Sequence, residues 1–350
     1  MIGEKLGKYT ILENLGTGSM GSVYKAEDPT AGRLVALKLV KAHTLYSPEK
    51  RERFLQGLLA ASEARHPGIC PILEIGDDND DFFVVMPFLE GQTLDQYMSG
   101  RALPWKEAFD IAIRAGEALA AGHAAGAVHR GLKPANFWIL KDGQVVVTDF
   151  GMARFTELEK GGRMTLPSKR KLEFADAIIP MAALAYMSPE QVRGSPVDYR
   201  SDIFSFGVML YEMLTGSHPF ESRNSLSRMH AILEGDPVPP GSRGVPLPVE
   251  LNTVLQRTLA KAPEGRYPNM YALLAELRQV RDRGQVLEAA GPVRDASRPE
   301  RSPARFRYAL LMLAAVLILL ALYFLWKKSG WVRPQTSDLR LQTSDRESEV

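Results

Sequence analysis

The sequence predicts an α+β protein in which a small β-rich lobe is followed by a larger helical lobe and, near the end of the chain, by a membrane-spanning helix. Three observations support this prediction. Short β-branched and aromatic runs broken by glycine and aspartate fill residues 9–89. From residue 103 onward, apolar residues recur at helical spacing. The run Tyr308–Trp326 then contains 19 residues without a charge.

The composition is that of an ordinary globular chain. Among 350 residues, 43 are basic and 41 acidic, and the net charge of +2 argues against a protein that binds nucleic acid through bulk electrostatics. Cys70 is the single cysteine, which excludes an intrachain disulfide and an all-cysteine zinc site. The simplest interpretation of Cys70 is a small buried apolar residue.

The β-rich lobe contains one predicted helix among its strands. The strand candidates are YTILENLG, GSVYKAED, LVALKLV, ILEIGD and FFVVMPFL. The helix candidate, SPEKRERFLQGLLAASEAR, begins with Ser47 as the predicted N-cap and Pro48 in the first turn, and its apolar residues recur at helical spacing.

The helical lobe is marked by three long segments: WKEAFDIAIRAGEALAAGHAAG, SDIFSFGVMLYEMLTG and LNTVLQRTLAKA. After them the composition shifts to proline, glycine, arginine and alanine. Residues 284–306 are therefore predicted to be a linker. The last 24 residues, 327–350, are a polar tail that repeats QTSD and is predicted to be disordered.

Between linker and tail, residues 307–326 are predicted to form a transmembrane helix. A helix over the uncharged run would be about 28 Å long, close to the hydrocarbon thickness of a bilayer. Basic residues flank the run on both sides, and aromatic residues lie near its ends. The flanking charges nearly balance. Because the first residues lack the continuous apolar core of a signal peptide, we expect residues 1 to about 307 in the cytoplasm and the tail on the other side.

Two short motifs in the β-rich lobe are typical of phosphate binding. GTGSMGSV, residues 16–23, places glycines where backbone amides can close over phosphates, although a plain hairpin turn has the same pattern. Ser22 stands where the other common phosphate loop needs lysine. Lys38 in VALK either points outward by strand alternation or binds phosphate, and the preceding glycine-rich turn favours phosphate.

Three further motifs identify a family. HRGLKPANF (129–137), VVVTDFGMAR (145–154) and AYMSPEQ (185–191), in this order, resemble the protein-kinase signature set. They are most similar to bacterial transmembrane serine/threonine protein kinases. The resemblance covers residues 8–283 and implies the two-lobed protein-kinase fold, with an N-lobe at 8–89 and a C-lobe at 90–283.

The resemblance also implies a site for ATP and Mg²⁺. Asp149 would hold the metal with Asn136, Lys133 would lie by the γ-phosphate, and Lys38 by the α- and β-phosphates. Glu190 would pair with Arg266, and Asp202 would brace His129 and Arg130. The remaining nucleotide-binding positions it implies are Gly16, Gly18, Gly21, Val23, Ala36, Met86 as gatekeeper, the Pro87 carbonyl, the Leu89 amide and Trp138.

The sequence departs from the family at positions that matter for catalysis. Gly131 replaces the aspartate that accepts the proton of the substrate hydroxyl, a function worth about 10²- to 10⁴-fold in rate. Gly57 stands where a helix glutamate would pair with Lys38, so Lys38 needs another acid nearby. Ala183 replaces a threonine that would bridge to Lys133. Trp138 stands where a leucine-sized residue would lie under adenine, and it would either stack on the base or fill its pocket.

These departures favour a membrane-bound pseudokinase that binds Mg-ATP and acts as a scaffold or allosteric partner. Two alternatives stay open. The retained lysines and metal ligands suit an enzyme of low turnover that phosphorylates Ser or Thr of a protein substrate. If Trp138 blocks the adenine site, the chain would be an interaction module without nucleotide. Besides ATP, we expect a protein substrate or signalling partner and no nucleic-acid ligand.

Overall fold

An antiparallel sheet of six strands builds the N-terminal lobe, in the order β1-β2-β3-β4-β6-β5. The structure is a computed structural model that describes residues 1–18, 21–40, 48–78, 81–152, 184–244 and 248–289. The strands are β1 (Lys5–Leu6), β2 (Tyr9–Thr17), β3 (Gly21–Asp28), β4 (Arg33–Val40), β5 (Glu74–Asp78) and β6 (Asp81–Pro87). The five predicted strands are therefore confirmed as β2 to β6, with shifts of one residue at an end of β2 and β4 and of one or two residues at β5 and β6.

The two faces of this sheet pack differently because side chains alternate along each strand. One face is an apolar cluster built within the sheet, including Tyr9, Ile11 and Leu37. The other face carries Val40, Val84 and Met86 and is covered by helix α1 (Pro48–Glu63) through buried side chains. Lys38 lies on this second face, opposite Val84 in the register.

Helix α1 follows the predicted pattern. Its first residue is Pro48, where a missing amide hydrogen costs nothing. Phe54 and Leu58 are buried one turn apart on the side that meets the sheet, and the helix continues without a break through Gly57. Ser47, the predicted N-cap, lies outside the described residues.

The C-terminal lobe is helical around a core of leucine, phenylalanine and alanine side chains. A small sheet of three strands, β7-β8-β9, belongs to this lobe, and β7 is the first strand after β6. The helices and strands of the C-terminal lobe are, in chain order, β7 (Gly91–Thr93), α2 (Leu94–Met98), α3 (Trp105–Ala124), β8 (Phe137–Leu140), β9 (Val145–Val147), α4 (Pro189–Arg193), α5 (Tyr199–Thr215), α6 (Ser225–Leu233), α7 (Val249–Thr258) and α8 (Met270–Ala289).

Capping residues at both termini determine where the long central helix α5 begins and ends. Its N-cap, Asp198, accepts a hydrogen bond from the Arg200 amide at 2.8 Å. Gly216 ends it with φ of 67°, a left-handed conformation that glycine adopts without strain. A Cβ at Gly216 would lie 2.7 Å from the Ala102 amide nitrogen, so this position also needs glycine for packing.

Near the C-terminus the structure differs from one predicted boundary. Helix α8 runs to Ala289, so the predicted start of the linker at residue 284 falls inside the helix. The shift in composition placed the boundary at residue 284, but the first proline of this stretch is Pro292, and a helix tolerates the internal Gly284 at a cost of about 1 kcal/mol. Among the described residues, none of the helices is both long and apolar enough to cross a membrane. The predicted transmembrane helix at 307–326 lies outside those residues and stays a prediction.

Candidate nucleotide and phosphotransfer site

The glycine motif forms the turn between β2 and β3. The Gly18 amide donates to the Gly21 carbonyl at 2.8 Å, which closes the turn. At Gly21 a Cβ would overlap the carbonyl oxygen of Leu39, so the fold itself requires glycine there. At Gly16 a Cβ would meet no atom within 4 Å. Internal packing therefore does not require glycine at position 16, which leaves room for close approach of a ligand.

Lys38 points inward, and the alternative of an outward lysine is wrong. Its side chain is 8% exposed, and its Nζ lies 2.8 Å from Oδ1 of Asp149. Three other predicted nucleotide-binding residues lie on the same sheet face. Val23 pairs with Lys38, and Ala36, two residues before Lys38 on β4, pairs with Met86. The β-rich lobe thus places an apolar surface and one ammonium group on the same side.

Asp149 is held from both sides in a constrained backbone. Its φ is 65°, a left-handed value that is uncommon for a residue with a side chain. While Oδ1 receives Lys38, Oδ2 accepts a hydrogen bond from Nδ2 of Asn136 at 3.0 Å. Burial would raise the pKa of Asp149, but the Lys38 ammonium more than offsets this and holds that pKa below its ordinary value. The carboxylate is therefore charged at neutral pH.

The residues present fit a magnesium ion. Asn136 is 4% exposed, and its Oδ1 is buried without a hydrogen-bond partner beside the Asp149 carboxylate. A buried carbonyl oxygen next to a carboxylate is a donor pair that suits a hard cation. Among the described residues no group of three or more His, Cys, Asp or Glu forms a metal site. Magnesium needs no such group, since it is commonly held by one or two carboxylates together with substrate phosphates.

Asp202 braces the loop at residues 129–136 through His129 and Arg130, as predicted. The buried Asp202 carboxylate accepts the amide of His129 at 2.8 Å and the amide of Arg130 at 2.7 Å. It also lies 2.9 Å from Nε2 of His123. Burial would raise the pKa of Asp202, but these donors lower it. Arg130 has φ of 62°, so the bracing holds the loop in a conformation that a free chain would seldom adopt.

His129 links this loop to the residue before Asp149. Its Nε2 donates to the Thr148 carbonyl at 2.9 Å, and its Nδ1 accepts the amide of Gly131 at 3.3 Å. Burial lowers the pKa of His129, so the ring is neutral and this tautomer satisfies both nitrogens.

Gly131 itself is exposed and contributes a backbone amide but no side chain to the loop. Lys133 is also exposed, two residues further on, and its positive charge helps to lower the pKa of Asp149. The loop therefore presents a cation and, at Asn136, a metal donor, but no carboxylate at position 131.

The predicted pair Glu190–Arg266 is confirmed as a buried bidentate ion pair. Nη1 of Arg266 lies 2.7 Å from Oε1 of Glu190, and Nη2 lies 2.8 Å from Oε2. The other donors of Arg266 bond to the carbonyls of Ala260, Lys261 and Arg200. Burial opposes the charge of Glu190, but the guanidinium lowers the pKa of this carboxyl.

The predicted adenine-binding residues lie between the lobes. Met86 is buried, Pro87 ends β6, and Leu89 packs on the cluster that contains Met86. Trp138, on β8, is partly buried against the same cluster. Its strand neighbours are Thr93 and Val146. The indole therefore belongs to the surface that joins the small sheet to the β-rich lobe.

Position 57 differs most from the sequence interpretation. The sequence placed Gly57 where the family has a glutamate partner for Lys38, so that Lys38 would need another acid nearby. Asp149 is the acid that meets Lys38, and Gly57 packs directly on Gly151. The nearby acids Glu52 and Glu63 are exposed. Ala183, the third departure, lies outside the described residues.

Sequence reasoning also missed Gln191. Its Nε2 donates to the Arg130 carbonyl at 2.6 Å, while its Oε1 accepts the Ser188 amide as part of an N-terminal capping box of α4. The Ser-x-x-Gln spacing signals the capping box. Nothing in the sequence signals the contact with Arg130, which depends on the fold.

Two lobes carry the features of the protein-kinase class: a glycine turn, an inward lysine, a braced loop and an aspartate–asparagine pair. The family comparison agrees, since the model of the protein kinase domain matches residues 9–273. The chain belongs to the protein kinase family.

Several curated relatives are bacterial serine/threonine kinases. A probable serine/threonine-protein kinase of Clostridium perfringens is 31% identical over 283 residues, covering 80% of this chain and 39% of the relative. Serine/threonine-protein kinase PknB of Mycobacterium leprae is 34% identical over 296 residues, covering 83% and 46%. This chain thus spans less than half the length of these relatives. The PknI kinase domain of Mycobacterium tuberculosis shares the fold, with a TM-score of 0.62 at 24% identity over 80% of this chain and 98% of that one.

Proposed function

We propose that this chain is a membrane-anchored pseudokinase that binds Mg-ATP, with phosphotransfer to protein serine or threonine lost or strongly impaired. The observation that carries the proposal is a contrast within residues 129–136. Asn136 contacts Asp149 and keeps a buried oxygen for a metal, whereas Gly131 offers no carboxylate.

Nucleotide binding rests on groups that the fold has already brought together. Asp149 and Asn136 would hold magnesium, which supplies neutralisation of phosphate charge when it is bound. The Lys38 ammonium is buried beside them and would meet the phosphates at the mouth of the glycine turn. Because the loops holding these groups are braced by Asp202 and His129, little reorganisation is needed on binding.

The loss of transfer rests on the missing acceptor for a proton. An alcohol attacks phosphorus efficiently only when its oxygen is aligned and its proton can leave. Glycine has no side chain that could align the alcohol or accept its proton. The Gly131 amide donates to Nδ1 of His129 and so does not point toward a substrate hydroxyl. The loss corresponds to about 3 to 5 kcal/mol of activation barrier.

An active serine/threonine kinase of low turnover is the second candidate. It is favoured by the exposed Lys133 and the assembled Asp149, Asn136 and Lys38, which together would still align and neutralise a γ-phosphate. The names of the curated relatives agree with this reaction. The two candidates share nucleotide binding and differ in the rate of transfer.

The membrane anchor rests on residues 307–326. Their uncharged run, with aromatic residues near its ends and basic residues beyond, is typical of a spanning helix. The full chain should stay with membranes after a carbonate wash. Leu317→Arg, at the centre of the run, should release part of it, because a central arginine costs about 2.5 to 3.5 kcal/mol on insertion. Complete release of the unmodified chain would contradict the anchor.

Nucleotide binding is tested by thermal unfolding of the full chain in detergent with Mg²⁺ alone, ADP with EDTA, and Mg-ADP. We expect Mg-ADP to stabilise the protein by about 2.7 kcal/mol at one hundred times its dissociation constant. Asp149→Asn should remove the increment that depends on magnesium, whereas Glu117→Gln, a change of a partly exposed side chain in a surface ion pair, should not. Absence of stabilisation would reject nucleotide binding and favour an interaction module.

A further inference from the structure

Gly57 of helix α1 and Gly151, two residues after Asp149, pack backbone against backbone. A Cβ at Gly57 would lie 2.7 Å from the Gly151 carbonyl oxygen and 3.4 Å from its Cα. Conversely, a Cβ at Gly151 would overlap the Gly57 carbonyl and lie 3.0 Å from the Leu58 amide nitrogen. Neither position accepts any side chain unless the helix and the loop move apart.

The helix is held at this short distance by apolar packing on both sides of Gly57. Phe54 and Leu58 are 2% and 0% exposed and belong to one buried cluster with Met152 and Cys70. Met152 directly follows Gly151. The cluster therefore packs helix α1 against the loop at the point where both lack side chains. Because buried side chains are densely packed, separating the helix from the loop would cost free energy of folding.

This contact bears on Asp149 because the aspartate and Gly151 share one short loop. The Met152 amide donates to the Asp149 carbonyl at 3.2 Å, which closes a turn around the glycine. At the other end of the turn the Asp149 carboxylate meets Lys38 at 2.8 Å and Asn136 at 3.0 Å. A shift of Gly151 away from the helix would be passed through this turn to the carboxylate.

We propose that Gly57 is a positioning residue for Asp149. By bringing helix α1 into direct contact with Gly151, it fixes the loop that carries the metal-binding carboxylate, and this contact replaces a side-chain bridge from the helix to Lys38. A glutamate at position 57 would thus separate helix and loop instead of restoring a bridge. The inference rests on the proposed binding of Mg-nucleotide, since it concerns the geometry of the metal ligand.

The test compares Gly57→Ala and Gly57→Glu with Leu59→Ala, a control on the same helix whose side chain is 57% exposed. For each full-length variant, the dissociation constants of Mg-ADP and of ADP in EDTA are measured with a fluorescent ADP analogue. We expect Gly57→Ala to weaken Mg-ADP by about tenfold or more, as found when partners of metal ligands are altered. Binding of ADP in EDTA should change less than about twofold, and Gly57→Glu should bind Mg-ADP no better than the alanine variant.

Helix propensity gives a second readout with the opposite sign. Alanine is favoured over glycine in mid-helix, so Gly57→Ala should raise the unfolding temperature if the glycine only weakens α1. The proposal predicts a lower unfolding temperature, because the new Cβ meets Gly151. If the variants do not fold, hydrogen exchange in the unmodified chain decides, since Mg-ADP should slow exchange of the amides around residues 54–58.

The outcomes separate the two proposals. An unmodified chain that binds Mg-ADP, with Gly57→Ala binding it equally well, would overturn the role of Gly57 and leave nucleotide binding intact. Unchanged exchange around residues 54–58 on binding would also overturn that role. An unmodified chain that binds no Mg-ADP would overturn both.

Discussion

Replacing Glu190 by glutamine should destabilise the helical lobe by about 3 kcal/mol, the lower end of the cost of breaking a buried ion pair from one side. Arg266 is 2% exposed and has a hydrogen-bond acceptor for each of its donors, two of them from Glu190. Glutamine is isosteric, but it removes the negative charge and presents an amide where one donor now points. The Arg266 guanidinium would then stay buried without a compensating negative charge, and this accounts for most of the lost folding stability.

The matched control is Glu117→Gln. Arg278 and Glu117 approach to 2.6 Å, as closely as the buried pair, but their side chains are 43% and 40% exposed. Water screens and replaces such a pair, so we expect a loss below about 1 kcal/mol. The two substitutions are the same change of side chain, and they differ mainly in burial.

Thermal unfolding followed by calorimetry measures both. For a domain of this size each kcal/mol shifts the midpoint by about 2 to 4 °C, so Glu190→Gln should lower it by about 6 °C or more and Glu117→Gln by less than about 4 °C. Equal shifts, or a loss below 1 kcal/mol for Glu190→Gln, would refute the reasoning that burial makes this pair strong.

Two further predictions concern His218 and Trp138. In His218, Nδ1 accepts the Phe220 amide at 3.0 Å, and burial, with the nearby Arg228 charge, lowers the pKa to about 4 from 6.5. The folded state disfavours the proton, so stability is full above pH 6.5 and falls below it. Between pH 7.5 and pH 5 the unmodified protein should lose about 2 kcal/mol more than His218→Asn in urea titrations, and parallel pH profiles would contradict this. Trp138→Leu should weaken Mg-ADP about fivefold in calorimetric titration, because a stacked indole contributes about 1 kcal/mol, whereas tighter binding would mean that the indole blocks the site.

The sequence predicted those parts of the site in which the partners are set by residue type and motif. The pairing of Glu190 with Arg266 and of Asp202 with the loop at 129–136 followed from the resemblance to the protein-kinase family, and the structure contains both. The inward direction of Lys38 was favoured only by its motif. Strand alternation also permitted an outward lysine, and only the packing of α1 and the Asp149 loop decides between them.

Contacts that depend on the distance between backbones could not be predicted. The meeting of Gly57 with Gly151 requires knowing how far a helix sits from a loop 94 positions along, and two glycines carry no chemical signal of attraction. The same holds for Gln191 and the Arg130 carbonyl. Helix α8 extends past the predicted start of the linker because the prolines of that stretch begin only at residue 292, after the helix has ended.

The central claim is that this chain keeps the nucleotide site of its family and lacks the group that makes transfer fast. Its most direct test is the rate of γ-phosphate transfer from Mg-ATP to the chain itself and to a generic protein substrate. The rate is measured for the unmodified full chain, Gly131→Asp and Asp149→Ala. We predict little or no transfer by the unmodified chain and a gain of about 10²-fold or more in Gly131→Asp. Robust transfer by the unmodified chain that vanishes in Asp149→Ala would contradict the claim and identify an active kinase.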